Sequence, residues 1–449
     1  MLLFFYLKTM YTLTSDQQEA CNKFGNFLLD DSKKEFYLFG AAGSGKTYCI
    51  SHMLNQGLKE YENSCKVLGI KPTVYTSVYL TAPTNKATQV LSDLYDLLNL
   101  PHMDVEVSTA YSLYNLVVKE NYHDGTTSIR QSRPTYLSNS IIIVDECSML
   151  PKDVIEVIRH NTGRDCKIIF IGDNYQLAPV NEKPFWTSTP DDVTAVLSTP
   201  VRNQGQQALV DLCTQFRDTV DTLTFKPISL VPNVIEWVED EGAKDWLLSA
   251  DFSKSRVLCY TNNKVLKYLD WIQDSKNQTT EIKTGHPYVC NNSYVLSTDS
   301  KITRFCFPDE LLEIVSLGKS WSYQTKTPNI FTPVKDAVVR SLATGKVFDA
   351  TISTDPLDLK LKIDITAKRS AWADHFALKQ RVLDLRLPYA STIHKSQGST
   401  FDEVFIDLTS FRSCEDIEVA ARLMYVAISR ARSKVVFYGS FPKKFGELL

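Results

Sequence analysis

Residues 40–47 read Gly-Ala-Ala-Gly-Ser-Gly-Lys-Thr, directly after the apolar run FYLF and directly before the helix-like YCISHMLNQGL. Glycines let successive backbone N–H groups curl around an anion, and a following helix offers its positive end. A lysine adds a point charge and a threonine hydroxyl can ligate magnesium. GxxxxGK[ST] between a strand and a helix is a phosphate cradle, so Gly40, Gly43, Gly45, Lys46 and Thr47 are expected to hold a nucleotide. The apolar run at 141–144 delivers Asp145 and Glu146 at its end. One carboxylate can hold a hydrated magnesium ion, with Thr47 and Asp145 as its expected ligands, and Glu146 can position and deprotonate a water. A third run, 168–171, leads into Gly172, Asp173, Asn174, Tyr175 and Gln176, where the Gln176 amide can sense a γ-phosphate or its attacking water.

These residues need a scaffold that places strand ends side by side. Apolar runs at 36–39, 78–81, 141–144 and 168–171 alternate with helix-like stretches, the signature of a parallel sheet with ligands at the carboxyl ends of its strands. The pattern returns at 256–260, 403–406 and 434–438, which implies a second α/β core. Between the halves, residues 285–387 have a different texture. Strands are expected at 293–296 and 346–353, and 357–366 reads LDLKLKIDIT, an alternation that predicts a half-buried antiparallel strand. A smaller insert lies near 114–138, where VVKENY and TTSIRQ flank His123, Asp124 and Gly125; Asp-Gly supplies the positive φ of a tight turn, so a protruding hairpin is expected.

Composition bounds the rest. The 449 residues are 43% hydrophobic and 22% charged, which fits a folded chain of two to four domains and excludes a collagen, a coiled-coil rod or a disordered chain. Forty-nine basic against 52 acidic residues give a net charge of -3, so an acidic polymer would have to be held by a local groove, not a global field. Ten cysteines without a CxxC pair suggest neither a zinc framework nor a disulfide scaffold. The apolar start at 1–7 lacks a basic flank and is too short for a leader, and no stretch is long enough for a membrane span. A cytoplasmic location is expected, the host cytoplasm if the chain is viral, with residues 1–9 as an upstream extension and Met10 an alternative start.

Together these motifs resemble superfamily 1 helicases, and within them the RecD/Pif-like branch, nearest its Dda-type members from T-even phages. Leu13, Thr14, Gln17 and Ala20 fit the branch's LTxxQxxA element, and TAPTNK at 81–86 and STAYSL at 108–113 are similar to motifs Ia and Ib. DECSM at 145–149 and GDNYQLAPV at 172–180 are similar to motifs II and III. LSTPVR at 197–202 and YTN at 260–262 take the places of motifs IV and IVa, and STIHKSQG at 391–398 and YVAISRAR at 425–432 match motifs V and VI. Two departures stand out: Tyr111 where Dda-type members carry histidine, and Ala178 where a proline is usual.

The resemblance implies two RecA-like parallel-sheet cores, a hairpin insert in the first and a small SH3-like β-rich insert in the second. The first core would span 1–190, the second 191–284 and 388–449, and the insert 285–387. It implies that Gln17 reads adenine, that Gln397 and Gly398 face the nucleotide, and that Arg202 and Arg430 act as arginine fingers across the cleft. Pro83, Thr84, Asn85, Ser108, Thr109, Tyr111, Asn262, Thr392 and His394 would touch the nucleic acid. The hairpin, with Tyr122 and His123 at its tip, would be the strand-separating pin, leaning on the β-rich insert. Expected cofactors are ATP and Mg2+. Expected partners are single-stranded DNA, forked or tailed duplexes and replication or recombination proteins, with no membrane and a monomeric state. The activity implied is 5′-to-3′ travel on single-stranded DNA coupled to unwinding. An RNA helicase, a translocase that remodels protein-DNA complexes and, more remotely, a P-loop kinase are the alternatives.

Overall fold

The structure is a computed structural model that describes residues 13–41, 43–179, 189–199, 206–276, 282–298, 301–306, 308–342 and 344–448. The chain forms two compact units. One comprises Met1–Val117 and Ile129–Asp211; the other comprises Val118–Ser128 and Leu212–Leu449. The expected boundary at 190/191 is therefore too early, because the run Thr194–Leu197 is the last strand of the first sheet. That strand is short and exposes Val196, so it carries no buried apolar run for a sequence reading to find.

The first unit opens with α1 (Ser15–Leu29), whose N-terminus is closed by a capping box between Thr14 and Gln17. Then follow β1 (Glu35–Gly40), α2 (Lys46–His52), a π-helical turn (Met53–Gly57), α3 (Leu58–Leu68), β2 (Ser77–Ala82), α4 (Asn85–Leu97) and β3 (Asp104–Thr109). After the short α5 (Ala110–Leu113) come the hairpin strands β4 (Leu116–Glu120) and β5 (Thr127–Gln131), then β6 (Ser140–Val144), α6 (Lys152–His160), β7 (Lys167–Gly172) and β8 (Thr194–Leu197). The sheet order is β3-β2-β6-β7-β1-β8, and every pairing is parallel. β6 and β7 are buried along their whole length, as central strands covered on both faces must be, which is why they read as unbroken apolar runs.

The second unit contains α7 (Gln207–Thr222, which begins just before the boundary), β9 (Ile235–Val238), α8 (Asp240–Ser249), β10 (Ser255–Cys259) and α9 (Asn262–Ser275). It ends with β18 (Ala390–Thr392), β19 (Phe401–Asp407), α12 (Ile417–Ser429) and β20 (Ala431–Tyr438). Its sheet, β18-β10-β19-β20-β9, is again wholly parallel. Two α/β cores are thus present.

The insert within the second core is a small barrel. It contains β11 (Pro287–Cys290), the ribbon β12 (Tyr294–Thr298) and β13 (Lys301–Cys306), the long β14 (Leu311–Gln324) and β15 (Phe331–Ser341), β16 (Val347–Ser353), and, after two helices, β17 (Leu385–Arg386). The order β16-β15-β14-β11-β17 is antiparallel throughout. Leu383 then bridges back to Ile352, with Ser353 N–H on Leu383 O at 2.9 Å and Leu383 N–H on Thr351 O at 2.8 Å, so the sheet closes on itself. This is the SH3-like element.

One expected strand of this insert is a helix. Residues 357–366 lie in α10 (Pro356–Lys368), followed by α11 (Trp372–Arg381). Pro356 occupies the first helical turn, and the Asp355 carboxylate accepts from the N–H groups of Leu357 (3.1 Å) and Asp358 (2.9 Å), a strong start signal. Leu and Lys are good helix formers, and Asp358 pairs with Lys362 one turn on. Leu359 faces the core while Leu357 and Leu361 stay exposed, so the apolar alternation was not a record of burial.

The hairpin forms, with a six-residue loop between β4 and β5. Gly125 has φ +74°, and a Cβ there would come within 2.5 Å of the Trp372 ring. The tip, Val118–Ser128, packs with the second unit. Tyr122 meets Phe376 edge-on at 5.6 Å, and the Gln380 amide donates to Glu120. The support expected from the β-rich insert is supplied by its helix α11.

Candidate functional site

The phosphate loop stands at the carboxyl end of β1. Gly43 and Gly45 have φ near +80°, and Gly45 leads directly into α2. A side chain at Gly40 would bring a Cβ to 2.5 Å from Ser44 Oγ and 3.0 Å from Leu197 Cβ, so β8 walls the loop and glycine is required there. The Lys46 ammonium lies over the loop, donating to Gly40 O at 2.7 Å and Ala41 O at 3.1 Å. Ser44 Oγ is buried with no hydrogen-bond partner. An orphaned hydroxyl in a glycine cradle at a helix start suits a bound phosphate.

Gln17 is buried against this loop. Its Nε2 donates to Ser44 O at 3.3 Å, and its Oε1 accepts from Thr14 N–H at 3.1 Å. The side chain expected to read adenine therefore supports the cradle in this structure. Its neighbour Asp16 went unremarked in the sequence. Asp16 Oδ2 accepts from the N–H groups of Ser198 and Thr199, each at 2.8 Å. Burial pushes its carboxyl up, but hydrogen bonds from Thr14, Thr199 and Ser198 prevail and hold it at about 2. Asp16 thus anchors the chain where motif IV begins; Arg202 itself lies outside the described residues.

Asp145 and Glu146 end β6. Asp145 N–H bonds to Thr81 O at 2.8 Å, and Asp145 Oδ1 accepts from Glu146 N–H at 2.8 Å. Burial pushes the Asp145 carboxyl above its usual range, and the Lys46 ammonium and the Glu146 N–H oppose that. Lys46 is thus close enough to bias the acid toward its anion. Glu146 has φ +47° and ψ +38°, a left-handed conformation that a glutamate adopts only under constraint. Gly172 ends the neighbouring β7, where a Cβ would come within 2.8 Å of Cys147 Sγ, so the two strand ends are in contact. From Gly172 the chain turns through buried Asp173, whose carboxylate accepts from Tyr175 N–H at 3.0 Å, to buried Gln176, whose N–H bonds to Asp173 O at 3.1 Å. The parallel order β6-β7-β1 thus sets the phosphate loop, the acid pair and the amide on neighbouring strand ends.

The expected nucleic-acid residues fall at the carboxyl ends of β2 and β3. Thr84 and Asn85 are exposed, and Thr84 caps α4 by accepting from Ala87 N–H at 3.2 Å. Pro83 is half-buried beside them. Ser108 Oγ is buried without a partner, and Thr109 caps α5 through Ser112 N–H at 3.0 Å. Tyr111 packs partly on the core. Tyr114 is fully buried with its hydroxyl 3.0 Å from Thr162 Oγ1, and belongs to the core. At the hairpin tip Tyr122 is 57% exposed and His123 is exposed.

In the second unit, Asn262 is exposed at the start of α9. Thr392 is buried at the end of β18, its Oγ1 accepting from Lys395 N–H at 3.3 Å. His394 lies 6.1 Å from the Tyr260 ring, and burial keeps its imidazole below the usual value. Gln397 is half-buried and Gly398 has φ +70° with open space where a Cβ would stand. Arg430 is buried within its own core. Its Nε donates to Val426 O at 3.1 Å, Nη1 to Ser399 O at 3.2 Å and Nη2 to Ser429 Oγ at 2.8 Å. Three of its five N–H donors are thus engaged inside its own core.

Comparison with known proteins follows the same division. Residues 30–182 match the AAA domain family, and residues 387–438 match the UvrD-like helicase C-terminal domain family. The ATP-dependent DNA helicase Dda of Enterobacteria phage T4 is 22% identical over 96% of this chain and 100% of its own length. The chain is thus similar along nearly its whole length to a superfamily 1 helicase of the RecD/Pif-like branch. An uncharacterised protein of Acanthamoeba polyphaga mimivirus is 21% identical over 94% of this chain and 98% of its own. The RecBCD enzyme subunit RecD of Mycolicibacterium smegmatis is 22% identical over 90% and 68%. Among solved structures, the Pif1 helicase from Bacteroides in complex with ADP-AlF3 and ssDNA aligns over 98% of this chain and 95% of its own, at 16% identity and a TM-score of 0.49. No helix among the described residues is long and apolar enough to cross a membrane.

Proposed function

We propose that the chain is a motor that travels 5′-to-3′ on single-stranded DNA and separates duplex strands at the expense of ATP. The observation that carries this reading is the meeting of the phosphate loop, Asp145, Glu146 and Gln176 on neighbouring strand ends of one sheet, with a second parallel-sheet core in the same chain. In this reading Lys46 and the loop N–H groups bind the phosphates, and Thr47 and Asp145 hold Mg2+, which supplies charge neutralisation at the phosphoryl oxygens. Glu146 takes the proton of the attacking water, and its constrained backbone fixes where that carboxylate stands. Gln176 holds the water or the γ-phosphate. Arg202 and Arg430 stabilise charge on the transferring group, and Gln397 and Gly398 line the same nucleotide. Gln17 reads the adenine in this reading, and its amide supports the loop through Ser44 O.

Pro83, Thr84, Asn85, Ser108, Thr109 and Tyr111 from the first core, and Asn262, Thr392 and His394 from the second, are proposed to grip the strand, with Tyr122 and His123 at the fork. Alternate tightening of the two grips would move the strand in one direction. The test is ATP hydrolysis with and without single-stranded DNA. The reading expects turnover to depend on DNA and the dependence to weaken with salt. Turnover indifferent to DNA would contradict it.

A further inference from the structure

Motif V contains a lysine to which the nucleotide and strand contacts above give no task. Lys395 lies in a single turn, His394–Ser396, between Thr392 and Gly398. Its side chain reaches the barrel. Nζ donates to Asn291 Oδ1 at 2.8 Å and to Asn291 O at 3.3 Å, and pairs with Asp309 Oδ1 at 3.3 Å. An ammonium has three N–H donors, and these three acceptors all belong to the barrel, Asn291 just after β11 and Asp309 just before β14. About three-quarters of each charged side chain in the pair is covered, with 26% and 28% exposed, so solvent screens it less than a surface pair.

The barrel side of this joint is itself fixed. Asn291 N–H bonds to Asp384 O at 2.8 Å and its Nδ2 to Asp384 Oδ2 at 2.7 Å. Arg386 grips the same carboxylate through Nε at 3.1 Å and Nη2 at 2.7 Å. Asp309 sits at φ +67° with its N–H on Cys290 O at 2.6 Å. The next residue, Asn292, donates through Nδ2 to Lys379 O at 2.8 Å and Val382 O at 2.7 Å, the end of α11. A lysine in a strand-contacting motif thus ends on a rigid corner of the neighbouring barrel.

We propose that Lys395 is a positioning residue that ties motif V to the barrel base, so that a displacement of motif V during turnover moves the barrel instead of being absorbed by the turn. The inference rests on the motor reading. It assigns Lys395 neither to phosphate nor to DNA: removing the ammonium leaves ATP turnover and strand binding in place and loosens their connection to unwinding. Lys395→Arg keeps a charge that reaches Asp309. Asp309→Asn keeps a residue tolerant of positive φ and removes the partner's charge.

The test measures single-strand affinity, DNA-stimulated kcat and KM, and ATP consumed per base pair opened, on the full chain, for wild type, Lys395→Met, Lys395→Arg, Asp309→Asn and the double variant Lys395→Met/Asp309→Asn. Thermal melting confirms that each variant is folded. Expected for Lys395→Met is a rise of about threefold to tenfold in ATP per base pair, with kcat, KM and affinity within about twofold of wild type. Lys395→Arg should stay near wild type, Asp309→Asn should reproduce part of the loss, and the double variant should be no worse than Lys395→Met. If Lys395→Met opens as many base pairs per ATP as wild type, or if it loses ATP turnover or strand binding outright, the positioning role is overturned. A wild type that hydrolyses ATP on DNA without opening duplexes contradicts the motor reading itself, and the inference falls with it.

Discussion

The two parallel sheets are built alike and used differently. Each ends a central strand in an acid. In the first sheet Asp145 follows β6, half-buried, with the Lys46 ammonium near it and a glutamate in a constrained left-handed conformation next in line. In the second sheet Asp407 ends β19, fully buried. Its Oδ1 accepts from Thr409 N–H at 2.9 Å and Thr409 Oγ1 at 2.6 Å, and its Oδ2 pairs with Lys264 at 3.4 Å, whose ammonium also donates to Thr409 Oγ1 at 2.8 Å. Gly439 closes over this corner, for a Cβ there would come within 2.4 Å of Thr409 Cγ2. An acid at a strand end is chemically useful only where its charge is not consumed by its own fold. The first sheet keeps Asp145 beside a glycine loop, whereas the second spends Asp407 on architecture.

Paired substitutions sharpen that contrast most. Lys46→Ala should lower ATP turnover by about a hundredfold or more while leaving the melting temperature near wild type, because the ammonium rests on loop carbonyls and not in the core. Asp407→Asn should do the reverse, costing about 1–3 kcal/mol of stability through the hydrogen bonds that the buried carboxylate makes with Thr409, with turnover per folded molecule little changed. Denaturant melts and ATPase assays on both variants check this, and a stable Asp407→Asn protein without turnover would erase the distinction between the two edges.

Glu146→Gln comes next. Nucleotide affinity should persist while turnover falls by about a hundredfold to a thousandfold, since an amide can hold water but cannot take its proton. Equilibrium binding of a fluorescent nucleotide beside the ATPase rate separates the two; loss of binding would move Glu146 from proton transfer to ligand holding. Arg430→Ala tests whether the second unit contributes to the chemistry. If the guanidinium acts as a finger, turnover should fall by about a hundredfold or more. If the bonds to Val426 O and Ser399 O are its whole task, the melting temperature should drop while turnover per folded molecule stays. The smallest effect belongs to the hairpin. Replacing Tyr122 and His123 together with Ala should slow unwinding of tailed duplexes by a few-fold, roughly the worth of one lost stacking contact, with DNA-stimulated ATPase near normal.

What the sequence disclosed, and what it hid, follows the same physics. Strands buried on both faces, such as 141–144 and 168–171, must be apolar throughout, and the site residues at their ends were legible because the chemistry dictates residue type and spacing. The helix at Pro356–Lys368 was misread because its apolar residues alternate while two of them, Leu357 and Leu361, face solvent; Pro356 and Asp355 carried the better signal. β8 was missed because an edge strand of four residues needs no apolar run. Asp16 and Lys395 could not be read, since their partners, the Ser198 and Thr199 amides and the Asn291–Asp309 corner, are distant in sequence and include backbone atoms. The resemblance assigned Gln17 to adenine and Arg430 to a finger role, and the hydrogen bonds each makes to a backbone carbonyl of its own core could not be read from the motifs.

The most direct test of the motor is unwinding of two duplexes that differ only in whether the single-stranded tail is 5′ or 3′, followed in real time with ATP and Mg2+. The account predicts opening of the 5′-tailed duplex, little opening of the 3′-tailed one, and none of either with Lys46→Ala. Equal opening of both, opening from the 3′ tail alone, or opening that survives Lys46→Ala would contradict it.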